Sequence, residues 1–103
     1  MMYDIFRKSG KEHREGGPAR TVYYTEGMLY SLEYSINGMT HREDGPAVTI
    51  YFLSGSPRSI YYCFNDLLHR EDGPAHTTYD WNGAIIMEEY YLHGSKTDKS
   101  FIK

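Results

Sequence analysis

The heptapeptide His41-Arg42-Glu43-Asp44-Gly45-Pro46-Ala47 recurs unchanged 28 positions later, beginning at His69. Moving back by the same 28 positions gives the heptapeptide again, with Gly16 in place of the aspartate. The chain therefore contains three copies of one unit, and a tandem repeat has to be recognised before any local pattern is interpreted. Repeat units bury apolar surface by stacking on one another, and stacked units usually present a surface to a binding partner.

The composition favours strands over helices. Eleven tyrosines and one tryptophan supply much of the apolar surface of the 103 residues, and the formal net charge is only -3. Aromatic rings pack well on a pleated surface, so this composition is typical of β-structure. The isoelectric point of about 5.9 disfavours a general nucleic-acid-binding protein, which needs a basic face.

Each copy contains two strand-like runs. In the first, residues 47–52, the positions of Ala, Thr and Tyr are spaced by two and are the same in all copies, while the residues between them vary. A period of two is that of a strand. Asn82-Gly83 and its equivalents follow this run, and Asn-Gly predicts a hairpin turn with positive φ at both residues. The second run is 58–64, with one side expected to carry Ile60, Tyr62 and Phe64.

The sequence therefore predicts a single all-β domain, residues 1–103, built from tandem β-hairpin repeats in an open antiparallel sheet. An N-terminal capping strand is expected at 2–10, and a C-terminal tail at 95–103, where the heptapeptide pattern stops. The pattern of residues 67–70 fits either a short third strand or a loop. The repeats themselves are expected at about 11–38, 39–66 and 67–94.

The Asn-Gly pair, the heptapeptide and the regularly spaced Tyr and Gly resemble a variant of the MORN repeat found in bacterial, bacteriophage and large-DNA-virus proteins. The resemblance covers roughly residues 9–95. It implies rows of β-hairpins in an extended, curved antiparallel sheet. For function it implies a structural scaffold, a homodimerising element or a protein that sequesters a small molecule or lipid headgroup. By analogy, a short array in a phage or virus would be an accessory protein that inhibits a host factor, for example in defence.

The repeated histidines have carboxylates nearby, which raises the question of a metal site. Equivalent residues of successive hairpins lie two strands apart, about 9–10 Å. A zinc ion needs each ligand within about 2.0–2.3 Å. One ion therefore cannot join equivalent histidines of two copies, and a histidine with a carboxylate of the same copy is the alternative that stays open. We expect no metal and no cofactor. Instead we predict a ladder in which Arg and Glu of neighbouring copies pair and each histidine bonds a carbonyl at the turn.

Cys63 is the single cysteine of the chain, and together with a histidine and an aspartate it is the one candidate for a catalytic nucleophile. It is expected on the variable face, where the other copies have Ser35 and Tyr91, and no base is placed beside it. We therefore expect a protein without enzymatic activity. The lone cysteine and the lack of an apolar run of signal or membrane length predict a cytoplasmic protein without membrane insertion, in the host cytoplasm if it is viral.

The variable face is the predicted binding surface. Aromatic side chains set among carboxylates resemble an interface core with a charged rim. The expected partner is a protein, with a second copy of this chain as the alternative, because symmetric pairing often covers exposed sheet edges. The predicted partner-binding residues are Tyr24, Glu33, Phe52, Tyr61, Asp80, Glu89 and Tyr91.

Overall fold

The computed structural model describes residues 1–102, and strands make up nearly all of their regular structure. The one helical segment in that range is a 3₁₀ turn, Lys99–Phe101, and no helix there could cross a membrane. In chain order the strands are β1 (Met2–Ile5), β2 (Arg7–Lys8), β3 (Lys11–Glu12), β4 (Arg20–Tyr23), β5 (Leu29–Glu33), β6 (Ser35–Ile36), β7 (Met39–Thr40), β8 (Val48–Tyr51), β9 (Pro57–Tyr61), β10 (Cys63–Phe64), β11 (Leu67–Leu68), β12 (His76–Tyr79), β13 (Ile85–Leu92) and β14 (Ser95–Thr97).

Eight of these strands form one antiparallel sheet in the order β1-β4-β5-β8-β9-β12-β13-β14. Each copy contributes one hairpin to it, namely β4-β5, β8-β9 and β12-β13. The N-terminal strand β1 pairs with the outer edge of β4, with Tyr3 opposite Val22. The predicted all-β fold with hairpins in an open antiparallel sheet is confirmed.

The two turns of each copy differ from the prediction. In the large hairpins only the glycine has positive φ, for example Gly83 at 89°. Asp80 donates its backbone N–H to the carbonyl of Ala84, so the loop between them has three residues. A three-residue hairpin loop is typically a tight turn followed by a residue in the left-handed conformation, here the glycine. The expectation of two positive φ values at Asn82-Gly83 was wrong. Two-residue turns of that kind occur later in each copy, as at Asn37-Gly38, with φ of 51° and 82°.

The second run is divided into two strands in the first two copies and continuous in the third. In the middle copy β9 ends at Tyr61, and Tyr62 donates its backbone N–H to the carbonyl of Ala75 in the next copy (2.7 Å). The chain then forms a small hairpin, β10-β11, so residues 67 and 68 are a strand. In the third copy β13 is unbroken, and its end pairs with β14. The expected C-terminal tail thus begins with a strand.

The interior is made of short side chains. Ala19, Ala47 and Ala75 have no exposed surface, and Thr77 is only 3% exposed. The repeated Ala positions, Thr21 and Thr77 are therefore buried, and Thr49 is half-buried. None of the large side chains in residues 1–102 is fully buried, and apart from the exposed Tyr3 the tyrosines are half-buried. The molecule measures 40 × 36 × 18 Å, so it is thin, and its large side chains reach the surface.

Candidate functional site

Six variable side chains lie next to one another across the large sheet. Strand register places Arg20 opposite Glu33. The pairs that follow on the next four strands are Glu33 with Val48, Val48 with Tyr61, Tyr61 with His76, and His76 with Glu89. Residues directly opposite each other on antiparallel strands point to the same face, with Cβ atoms about 4.5–5.5 Å apart. We refer to these six residues as the row: Arg20, Glu33, Val48, Tyr61, His76 and Glu89.

Three of the seven predicted binding residues belong to the row, namely Glu33, Tyr61 and Glu89. The prediction did not include the other three, Arg20, Val48 and His76, which occupy the same variable position in the first strand of each copy. Their variability was the signal that could have identified them. Their position beside the predicted residues depends on strand register, which the sequence does not show. All six side chains are half-buried.

The remaining four predicted residues lie elsewhere. Tyr24, Phe52 and Asp80 directly follow the first strands of the hairpins, about 13 Å along the chain from the row (four residues of about 3.3 Å each). The hydroxyl of Tyr24 donates to the Tyr51 carbonyl (3.0 Å), and Asp80 accepts N–H bonds within its own turn. Tyr91 lies in the last part of β13, opposite Lys96. The seven residues therefore do not form a single cluster.

One end of the row is a chain of contacts between polar and aromatic groups. The ring of Tyr61 stacks on that of His76, with centroids 4.2 Å apart. His76 Nδ1 lies 2.9 Å from Glu89 Oε1, and Lys96 Nζ donates to Glu89 Oε2 at 3.1 Å. The hydrogen bond to His76, assisted by Lys96, lowers the pKa of Glu89, and the bond to Glu89 raises the pKa of Lys96. Both charges are therefore favoured and held in place.

At the other end Arg20 donates to both carboxylate oxygens of Glu12, at 2.7 and 3.2 Å. This bidentate hydrogen bonding raises the pKa of Arg20. Within residues 1–102, Glu33 forms no ion pair. The middle of the row thus offers a carboxylate beside the aliphatic Val48 and the aromatic Tyr61, a combination suited to a partner with a basic and an apolar group.

The repeated histidines connect the start of each copy to the small turn at its end. The Nδ1 atoms of His13, His41 and His69 accept the backbone N–H groups of Asn37, Asn65 and His93, at 2.9, 3.1 and 2.9 Å. Because Nδ1 is the acceptor, the ring proton lies on Nε2. The predicted bond of each histidine at a turn is therefore present in all three copies, but the expected carbonyl partner was wrong, since the turn presents an amide.

The repeated arginines form hydrogen bonds within their own copy and lie over a tyrosine ring of the preceding copy. Arg42 donates to Asp44 (3.0 Å) and to the Pro46 carbonyl (3.2 Å), and its guanidinium carbon lies 4.0 Å from the centre of the Tyr34 ring. Arg70 repeats these contacts in the third copy. The predicted pairing of Arg and Glu between copies was wrong, because equivalent positions are about 9–10 Å apart whereas this aspartate is two residues away. The bond to arginine lowers the pKa of Asp44.

Cys63 is buried, with 9% of its surface exposed, although the sequence placed it on the variable face. Its burial removes it from the surface that a partner could reach. Burial, with a smaller effect of Asp66, raises the pKa of the Cys63 thiol to about 11. A thiol of this kind is a poor nucleophile at neutral pH. No group of three His, Cys, Asp or Glu side chains in the described part of the chain could hold a metal ion.

An open cleft of about 690 Å³ separates the second and third heptapeptide segments. Arginine and aspartate side chains line it, and they already bond to each other in Arg42–Asp44 and Arg70–Asp72. The cleft therefore offers few free polar groups to a ligand, and the row is the stronger candidate site.

Comparison of the chain with protein-family models, characterised proteins and solved structures gave no match. The resemblance to MORN-type repeats therefore stays a prediction that depends on the heptapeptide and its spacing. Function has to be argued from the geometry of the row.

Proposed function

We propose that this chain is a non-enzymatic repeat protein that binds a protein partner through the row. The observation that supports the proposal is the gathering of six variable side chains from six neighbouring strands on one face of the sheet. Protein interfaces typically combine an aromatic anchor with surrounding polar groups. Tyr61 would be the anchor, with Val48 beside it and Glu33 as the carboxylate that selects a basic group on the partner.

The backbone and the side-chain bonds keep this surface in one arrangement. Hydrogen-bonded strands position all six residues, and Tyr61 is held by its stacking on His76, which in turn is bonded to Glu89. Side chains that are already ordered lose less conformational entropy on binding. A preorganised row therefore favours affinity for a partner of complementary charge.

The wider role that we propose is the one that the MORN-like resemblance implies. The chain would be a small phage or viral accessory protein that inhibits a host factor, such as a component of a defence system, in the host cytoplasm. The single cysteine is consistent with a reducing compartment.

The test is affinity capture from a cell lysate with the tagged full chain and three variants. Tyr61→Ala removes the proposed anchor and should weaken capture about tenfold or more, the size of effect expected at an interface hot spot. Glu33→Lys should lose partners with a basic contact group. Glu26→Lys is the matched control, because Glu26 is exposed in the turn of the same hairpin.

Mass spectrometry should show proteins retained by the wild-type chain and by Glu26→Lys and lost from Tyr61→Ala. All variants should keep the wild-type unfolding midpoint within a few degrees, which shows that the fold is intact. If the four chains retain the same proteins in the same amounts, the row is not the binding surface.

A further inference from the structure

The three heptapeptide arginines are placed alike, but the first has no aspartate beside it. The backbone N–H groups of Arg14, Arg42 and Arg70 donate to carbonyls at equivalent strand positions, at 3.1, 3.2 and 3.2 Å. Their guanidinium carbons lie 4.1, 4.0 and 4.0 Å from the centre of an aromatic ring. The second and third copies have an aspartate two residues after the arginine, whereas the first has Gly16.

This difference leaves one edge of the first guanidinium without a protein partner. In the second copy, Arg42 donates through Nε to Asp44 (3.0 Å) and through Nη1 to the Pro46 carbonyl (3.2 Å). In the first copy, Arg14 donates through Nη1 to the Pro18 carbonyl (3.4 Å). Within residues 1–102 its side chain forms no other hydrogen bond and no ion pair. Its Nε–H and Nη2–H groups are therefore free to bind a ligand.

The free guanidinium lines an open cleft between the first and second heptapeptide segments. This cleft measures about 960 Å³, compared with about 690 Å³ for the cleft between the second and third segments. Lys8 also lines it, at a position that Ile36 and Phe64 occupy in the other copies. Apart from histidines, three basic and three acidic side chains line the first cleft, whereas two basic and four acidic side chains line the second. The first cleft is therefore the less acidic of the two.

The acidic side chains of the first cleft already have other neighbours. Asp44 belongs to the ion pair described above. Glu15 and Glu43 lie 3.3 and 3.7 Å from Nε2 of the histidine two residues before each, and their side chains are 79% and 80% exposed. Arg14 and Lys8 form no ion pair within residues 1–102, so they are the unpaired cations of this cleft.

We infer that Arg14 binds a carboxylate ligand in this cleft through its Nε–H and Nη2–H groups. A carboxylate is the group that the aspartate supplies to the equivalent arginines of the other two copies. Within this chain, Arg20 binds the carboxylate of Glu12 through the same two groups, at 3.2 and 2.7 Å. The planar guanidinium matches the two oxygens of a carboxylate, and Lys8 adds a second positive charge to the same cleft.

The guanidinium is held in position without a ligand. It lies 4.1 Å from the centre of the Phe6 ring, and a cation is attracted to the face of an aromatic ring. It also packs against Gly17, where a Cβ atom would lie only 3.0 Å from Cζ of Arg14. A side chain that is already ordered loses less conformational entropy on binding, which favours affinity for the ligand.

The test follows the Nε–H signals of the arginines by NMR in the isotope-labelled full chain. The probes are acetate, a free small acid, and a capped peptide of one aspartate between two glycines, which presents a carboxylate side chain. Both should shift the Arg14 signal saturably. The Arg70 signal should stay in place, because its Nε–H already donates to Asp72 (2.9 Å). Tighter binding of the peptide would identify a polypeptide as the source of the carboxylate, and equal affinity a small acid.

Variants test the same site through the backbone amide shifts of Gly16 and Gly17. Arg14→Met should weaken binding of acetate at least about tenfold, because it removes both charged hydrogen bonds. Arg70→Met is the matched control and should leave the affinity unchanged. Lys8→Met should weaken binding about two- to fivefold, the effect expected of one exposed charge.

Absence of a saturable shift of the Arg14 signal, or equal weakening by Arg14→Met and Arg70→Met, would overturn the inference. Methanesulfonate has the charge of acetate but is not planar, so equal binding of the two anions at the same ionic strength would also overturn it. The Tyr61→Ala variant should bind acetate as the wild type does. This separates the cleft from the proposed function of the row.

Discussion

The heptapeptide segments and the row both run across the three copies, but different kinds of bond hold them. In the segments, His41 and its equivalents bond the backbone amide of a turn 24 residues further along the chain. In the row, side chains bond other side chains, as in the contact of His76 with Glu89. A backbone partner is the same in every copy, so the residue that binds it stays the same. A side-chain partner can change together with its neighbour, so the row can vary without loss of register.

The largest effect is expected where the repeated residues are most tightly packed. Ala47 has no exposed surface, so Ala47→Leu would force additional methyl groups into a filled space. Overpacking of this kind lowers the free energy of unfolding by about 1–3 kcal/mol. Chemical denaturation measures the change. Ala84→Leu, at an exposed turn position, is the control and should stay within about 0.5 kcal/mol of wild type.

Loss of one ladder histidine should have a smaller and local effect. His41→Phe removes the acceptor of the Asn65 amide, and a net hydrogen bond contributes about 0.5–1.5 kcal/mol. Hydrogen exchange should become faster at Asn65 but not at Asn37, which is bonded to His13. Equal acceleration at both amides would mean that the ladder acts as a single unit and not copy by copy.

Arg42→Met tests the contacts of a heptapeptide arginine. The substitution removes the guanidinium from the Tyr34 ring and its bond to the Pro46 carbonyl, and at such a partly exposed site we expect a loss of about 0.5–1 kcal/mol. Arg58→Met is the matched control, because the Arg58 guanidinium lies farther from its ring, 5.8 Å from the centre of the Phe52 ring, and a smaller loss is expected there. Denaturation midpoints that fall equally for the two variants would argue against a specific role of Arg42.

The smallest effect concerns the row and depends on pH. The pKa of Glu89 is lowered in the folded state, so its ionised form stabilises the fold above its ordinary pKa, near 4.5, and this stabilisation is lost as the pH falls through the lower folded value. Glu89→Gln should therefore lower the thermal midpoint at pH 7 relative to wild type, and the difference should shrink as the pH falls below 4.5 and through the lower folded pKa of Glu89.

The same substitution in a His76→Phe background provides the control for this pH dependence. His76 is the main cause of the lowered pKa, so the effect of Glu89→Gln should be smaller there. An unchanged effect would mean that Lys96 alone stabilises the carboxylate.

Several sequence predictions failed for identifiable reasons. Cys63 was expected on the variable face, and burial leaves it only 9% exposed, because the identity of a position across copies does not show how far its side chain is covered. The turn at Asn82-Gly83 was expected to have two residues, but three residues separate its paired strand ends. The bond from Asp80 to Ala84 sets that loop length, and the Asn-Gly pair alone does not determine it.

The sequence alone was sufficient to determine the three copies, the all-β class and the hairpins, because a period of two and a repeat of 28 residues follow from interactions between near neighbours. Only the tertiary structure decided which variable side chains share the row and which of them contact one another. Those features depend on cross-strand pairs such as Arg20 with Glu33 and Tyr61 with His76. A shift of one residue in pairing would move each of these side chains to the other face, and composition and periodicity do not determine that shift.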